Sequence, residues 1–456
     1  MVTQVVSRRR YLARAGQALA AVLGAAAAAC GRGAPGAGKP LGGEPITLRV
    51  TSVASEMGEM AASRYPAFTE KFPRIKVEFE NNPEYGTKIT VLAAADSLGD
   101  LAMGYTNTGQ YHFLAQNDVF SDHDAFIARD KYDLKQFYDL AVEAIRINKK
   151  LYGLPFKGQI ARIALFWNVD AFEARGIRQP APEWTYNDLA DAAVRLARRD
   201  GTEVQMYGVV FNWRELTSMI GSIRPWGGDV LSADGKRVTL ATPQAREALV
   251  YHYDLALRQR VATMQPLVAD PVTLFTDGKA AMLARVNIGN AGLILQRFGG
   301  AQRFRWNMVR MPKGPGGRRG GMWLPGTMSV TKSSRHQDEA WELCKWSCDK
   351  EAGVALALQV QGSSTPGARP DVYADPRLAN RPGYPAQYAD EQRRAMQEPE
   401  PYVTAWNFTG GDLNTALGTE LDKITRGEAP VSDPFLQAVA AQLQTILDKP
   451  PPRLRS

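Results

Sequence analysis

Strand and helix signals alternate once a glycine-rich stretch ends at Pro45, and this alternation restricts the possible folds more than any other feature. "ITLRVTS" (46–52) is rich in branched residues and alternates as a strand does. "MAASRYPAFTEKFP" (60–73) has helical spacing despite Pro66, "IKVEFEN" (75–81) reads as a second strand, "YGTKITVLAAADS" (85–97) as a helix, and "GDLAMGY" (99–105) as a third strand. Strands separated by helices pair in parallel, so the fold class is α/β built from βαβ units.

Later segments keep this style. In "TYNDLADAAVRLARRDG" Thr185 is the expected N-cap, with Asp188 three residues on and Gly201 as a stop; Leu189, Ala193, Leu196 and Ala197 mark the apolar face. Thr242 caps a further helix with Pro243 in its first position, and another is expected to start from Ser334. The composition, 45% hydrophobic and 22% charged over 456 residues, is that of a globular chain.

The first 29 residues are different. They hold four Arg and no acid, then an Ala-rich run too short and too weakly apolar to span a bilayer. A positive start, an apolar middle and small residues before a break describe an export signal. Ser7-Arg8-Arg9-Arg10-Tyr11-Leu12 resembles a twin-arginine signal, in which Arg8 and Arg9 would be read by a receptor. "AAAC" ending at Cys30 resembles a lipoprotein cleavage box, with Ala27 where Leu is usual; acylated Cys30 would anchor the chain to a lipid bilayer. Gly31 to Pro45 holds six Gly and three Pro, the composition of a flexible tether. Removing the four signal arginines lowers the net charge from +8 to +4, and no Lys/Arg-dense run follows, so nucleic acid is not an expected partner. Cys344 and Cys348 lie four apart on one expected helix and read as small packed residues. The four histidines show no ligand spacing with them, so neither a metal nor a cofactor is expected.

The stretch "LYGLPFKGQIARIALFWNVDAFEARGIRQPAPEWTYNDLADAAVRLA" resembles the extracellular solute-binding proteins of ABC importers, the cluster that includes maltose-binding and other sugar-binding proteins. The likeness rests on Tyr152-Gly153-Leu154-Pro155, Trp167-Asn168, Asp170, Phe172, Gly176-Ile177, Pro182 and Trp184-Thr185. "PWGGDVLSADGKRV", "FTDGKAAMLARVN", "WNMVRMPKGPGG" and the closing "ELDKITRGEAPVSDPFLQAVAAQLQTIL" follow in the family's order.

The resemblance implies two α/β lobes joined by a multi-strand hinge with a ligand cleft between them. Lobe one would comprise 45–155 plus 326–370 and lobe two 160–320 plus 375–450, after a signal (1–29) and tether (30–45), with 451–456 a frayed tail. Crossings are expected near Phe156–Gln159, Pro325–Gly326 and Thr365–Asp371. The implied function is capture of a solute by hinge closure, without catalysis, by a monomer that delivers to a membrane permease.

Sugars call for flat aromatics beneath the rings and planar polar groups at their edges. The expected ligand contacts are Ser55 and Glu56 after the first strand, Tyr105 and Asn107 after the third, Phe156 and Lys157 at the hinge, Trp213, Glu215, Trp226 and Asn287 in lobe two, Trp323 before a crossing, and Trp406 with Asn407 in "TAWNFTGG". A mono- or oligosaccharide is the expected solute. Glycerol phosphate, polyamine and peptide remain alternatives on the same fold. A secreted glycoside-acting enzyme is the rival outside it, although neither G-x-S-x-G nor H-E-x-x-H occurs.

Overall fold

The computed structural model describes residues 43–106, 109–213, 215–359, 365–398 and 400–454. Arg8, Arg9, Cys30, most of the tether and Asn107 lie outside them. Among the described residues no helix is long and apolar enough to cross a membrane.

Two five-stranded paths organise the chain. The first sheet uses β1 (Ile46–Ser52), β2 (Ile75–Asn81), β3 (Leu101–Tyr105) and β4 (Leu154–Lys157). The second uses β5 (Ala164–Asn168), β6 (Glu203–Phe211), β7 (Ala262–Met264), β8 (Ala280–Val286) and β9 (Trp306–Arg310); the chain then returns to the first as β10 (Gly326–Val330). The orders are β2-β1-β3-β10-β4 and β7-β6-β8-β5-β9.

The two orders are the same pattern. In each, three parallel strands run second-first-third, and one antiparallel strand separates the third from the last. That antiparallel strand is the one adjoining a crossing. β5 enters the second sheet from the first, and β10 enters the first sheet from the second. Each sheet is therefore completed by a strand on the far side of a connection, which makes the crossings part of both frameworks. A three-stranded ribbon ties them together: Met322–Trp323 pairs antiparallel with Ile160–Ala161 and parallel with Glu400–Pro401.

Side chains alternate between faces along β5. Ala164 and Phe166 enter the core that also covers the first sheet, whereas Leu165 and Trp167 enter a second core on the opposite face. Gly208 in β6 lets a helix approach closely, since a β-carbon there would run into the Ala193 carbonyl.

Local signals were realised where they were local in origin. Thr185 and Asp188 form the expected reciprocal cap, and Thr242 accepts from Ala245 N–H. Three expectations need correction. Ser55 and Glu56, which follow the first strand and are expected in the loop at its carboxyl end, fall in a helix that starts at Ala54 and continues through a wide π turn (Met60–Arg64) into Tyr65–Lys71. The wide turn ends two residues before Pro66, which sits in the first turn of the following α-helical stretch, where a proline ring is tolerated. The helix expected from Ser334 starts at Gln337, because Ser334 Oγ instead accepts from His336 N–H and bonds Asp100. The tail is docked through Leu454, which packs on the first core and donates its N–H to Asn117 Oδ1 at 3.0 Å.

Candidate functional site

In open parallel sheets, ligands meet the chain beyond the carboxyl ends of the strands. β3 ends at Tyr105, β8 ends at Val286, and the first crossing, Gly158–Ile163, runs between these ends. A cavity of about 160 Å³ lies there, lined by Tyr105, Thr106, Lys157, Gln159 and Gly326 among others. Gln159 also lines a narrow crevice with Asn287 and Thr365. Gln159 thus joins a wall from the first sheet to a wall from the second.

The wall is fixed by backbone-directed bonds. Thr106 Oγ1 donates to Pro325 O at 2.8 Å, tying the end of β3 to the second crossing. Gly326 pairs with both Tyr105 and Lys157, so β10 sets their spacing. Lys157 is buried. The phenol ring of Tyr105 lies 6.2 Å from that of Tyr85. On the opposite side Arg162 has a left-handed backbone (φ +59°), and its N–H donates to Asn287 Oδ1 at 3.3 Å. Its buried guanidinium pairs with half-exposed Glu215 and bonds Thr217 Oγ1. Burial pushes the Arg162 pKa down, and the Glu215 carboxylate opposes that shift.

Of the expected contacts, Tyr105 and Lys157 line the cavity and Asn287 lines the crevice, while Glu215 pairs with Arg162, whose N–H bonds Asn287. Ser55 and Glu56 lie in the first turn of the helix after β1.

The remaining expected residues are engaged in packing and backbone contacts. Phe156 is 1% exposed and belongs to the first core. Trp213 is also 1% exposed; its indole donates to Tyr253 Oη at 3.0 Å and packs against His252. Trp226 joins a cluster with Tyr186, Tyr251 and His252. Trp323 is fully buried against Tyr138.

Trp406 and Asn407 hold the last helix. The Trp406 indole donates to Leu447 O at 2.7 Å, and Asn407 Nδ2 reaches Ile446 O, Leu447 O and Lys449 O. Ile446 and Leu447 end the helix Asp433–Leu447, where carbonyls lack the amide donor of a following turn, and Lys449 lies two residues beyond it. Trp406 and Asn407 thus serve a helix end, and Phe156, Trp213 and Trp323 serve the cores.

Sequence reasoning missed Thr106, Gln159 and Arg162, which carry no motif. It also missed Phe408, whose ring stacks on His112 at 5.9 Å and whose backbone meets Gly109. His112 belongs to helix α1 (Gln110–Gln116), which packs on β3. Burial lowers its pKa to about 4, so it is neutral near pH 7.

A family model described as "Bacterial extracellular solute-binding protein" matches residues 64–386. Putative binding proteins of Brucella abortus and Brucella suis are 24% identical over 314 residues, 67% of this chain and 72% of each relative. Among solved structures, the chain resembles a Listeria monocytogenes ABC substrate-binding protein in complex with cycloalternan. The TM-score is 0.74 at 18% identity, covering 88% of this chain and 98% of that one. The GacH receptor of Streptomyces glaucescens, solved unliganded and with acarbose, gives 0.73 at 18% identity over 89% and 99%. UgpB of Mycobacterium tuberculosis in complex with glycerophosphocholine gives 0.70 at 14% identity over 89% and 99%.

Proposed function

The chain belongs to the bacterial extracellular solute-binding proteins, and we propose that it captures a sugar between two lobes and delivers it to the permease of an ABC importer. The observation that carries this reading is the polar crevice where the carboxyl ends of β3 and β8 face one another across the first crossing. It offers an ammonium (Lys157), amides (Gln159, Asn287), a hydroxyl (Thr106) and a phenol ring (Tyr105), which suits a ligand rich in hydroxyls. The cycloalternan and acarbose complexes of two structural neighbours support a carbohydrate.

The crossings that complete both sheets act as the hinge. Ligand bound to both walls stabilises the closed arrangement by the contacts it makes only there. The lobes are 45–155 plus 326–370 and 160–320 plus 375–450, and the protein works as a monomer. Arg8 and Arg9 direct export, and acylated Cys30 holds the body at the membrane through the 30–45 tether.

A thermal-shift panel of mono- and oligosaccharides, polyols, glycerol phosphates, polyamines and peptides tests the reading. A ligand at 100 times its Kd adds about 2.7 kcal/mol and raises the Tm by degrees. Stabilisation by one sugar class, lost in Gln159→Ala, supports a sugar receptor. A shift with phosphates or amines alone overturns the sugar and keeps capture; turnover of chromogenic glycosides overturns capture. Incorporation of labelled palmitate in the wild type but not in Cys30→Ala tests the anchor.

A further inference from the structure

Arg285, the penultimate residue of β8, is fully buried and has no carboxylate partner among the described residues. Its Nη1 donates to Arg319 O at 2.7 Å and to Arg162 O at 3.3 Å. Among the described residues Nε and Nη2 have no acceptor. These two N–H groups form one edge of the planar guanidinium, the parallel fork that fits both oxygens of a carboxylate, nitrate or phosphate.

The surrounding charges set Arg285 apart. Connected arginines each meet an acid: Arg162 with Glu215, Arg224 with Asp229, Arg310 with Glu391, Arg318 with Glu400 and Arg319 with Glu398. Arg285 alone in this network is uncompensated. Burying a charge without a counter-charge is strongly unfavourable. Water could accept the two hydrogen bonds but would leave the charge unbalanced.

The position is also held against its own preferences. Arg285 has a left-handed backbone (φ +64°), which costs free energy in a residue with a side chain. Gly320 allows the close approach, because a β-carbon there would fall 3.0 Å from Nη1. The guanidinium carbon lies 5.5 Å from the centroid of the Tyr186 ring, whose hydroxyl is likewise buried without a partner. Burial lowers the Arg285 pKa to about 9, in the direction expected of a cation lacking a counter-ion.

We propose that the Nε/Nη2 edge of Arg285 holds a small oxyanion inside the second sheet's unit. Arg285 directly precedes Val286 in β8, and its Nη1 bonds the carbonyl of Arg162, whose own N–H bonds Asn287. The oxyanion is either a free inorganic ion or an acidic group carried by the solute.

The test is thermal unfolding of the purified protein in sodium nitrate, sodium phosphate and sodium chloride at matched ionic strength. A Tm higher by about 2 °C or more in nitrate or phosphate, absent in Arg285→Lys, supports a free-ion site, because lysine keeps the charge and loses the fork. Stabilisation by glucuronate or glucose 6-phosphate but not by glucose, weakened at least tenfold in Arg285→Lys, assigns the oxyanion to the solute. Crystals of the wild type grown with sodium selenate give a readout that needs no variant, and an anomalous peak within hydrogen-bond distance of Nε and Nη2 is expected. Equal melting in all salts, no preference for acidic solutes and only water on that edge overturn the proposal. Neutral-sugar binding would survive that result.

Discussion

Leu454 N–H and Asn117 Oδ1, 337 residues apart in sequence, are hydrogen-bonded at 3.0 Å. The C-terminal segment is held upstream by Asn407, which bonds the carbonyls of Ile446, Leu447 and Lys449, and downstream by Asn117 at the end of α1. Phe408, next to Asn407 in sequence, stacks on His112 of the same helix. The segment is a strap from the second sheet's unit to the first.

Deleting residues 450–456 removes one hydrogen bond and the apolar contact of Leu454. If this arrangement is the one that holds solute, affinity falls about fivefold while the far-ultraviolet dichroism is unchanged. Calorimetric titration and small-angle scattering check this. An unaltered Kd and radius of gyration would show that the strap does not couple the two units.

Asn407→Ala should destabilise the protein by about 1–3 kcal/mol, because it strips a buried donor from three helix-end carbonyls. Solute affinity should change less than twofold. Denaturant unfolding together with titration separates the two effects, and a large loss of affinity at unchanged stability would return Asn407 to the ligand.

Gln159→Ala should have the opposite profile. Gln159 lines both the cavity and the crevice, so losing its amide weakens solute binding by about tenfold. The Tm of the unliganded protein should move little. Equal affinity of variant and wild type would remove Gln159 from the site.

His112 and His252 are both held near a pKa of about 4 by burial, against about 6.5 when unfolded. Between these values the unfolded chain binds more protons than the native one. Stability is therefore complete above about pH 6.5 and falls as pH drops toward 4. His112→Phe keeps an aromatic ring against Phe408, cannot titrate, and should remove about 2 kcal/mol of the loss between pH 7.5 and pH 5. Urea unfolding at pH 7.5 and pH 5 measures it, and a variant with the wild-type slope would mean that His112 is not buried neutral.

The alternation of strands and helices was legible because it repeats local preferences, and Thr185 with Asp188 was legible because a cap is made by residues three apart. The order β2-β1-β3-β10-β4 was not, since β10 joins β3 and β4 from more than 150 residues away. The site was legible only where it adjoins a strand end or a crossing, as with Tyr105, Lys157 and Asn287. Gln159 and Arg162 have no distinguishing neighbours in sequence. Trp213, Trp226, Trp323 and Trp406 misled because an indole suits a sugar platform and a protein core equally well.

The sequence by itself determined the α/β class, the helix boundaries set by local caps and the family. Tertiary structure alone decided which polar groups face the crevice, that Trp406 and Asn407 close a helix, and that Arg285 lacks a counter-charge. The physical reason is range. Propensities and caps act over a few residues, whereas burial, hydrogen-bond partners and charge balance depend on groups that only folding brings together.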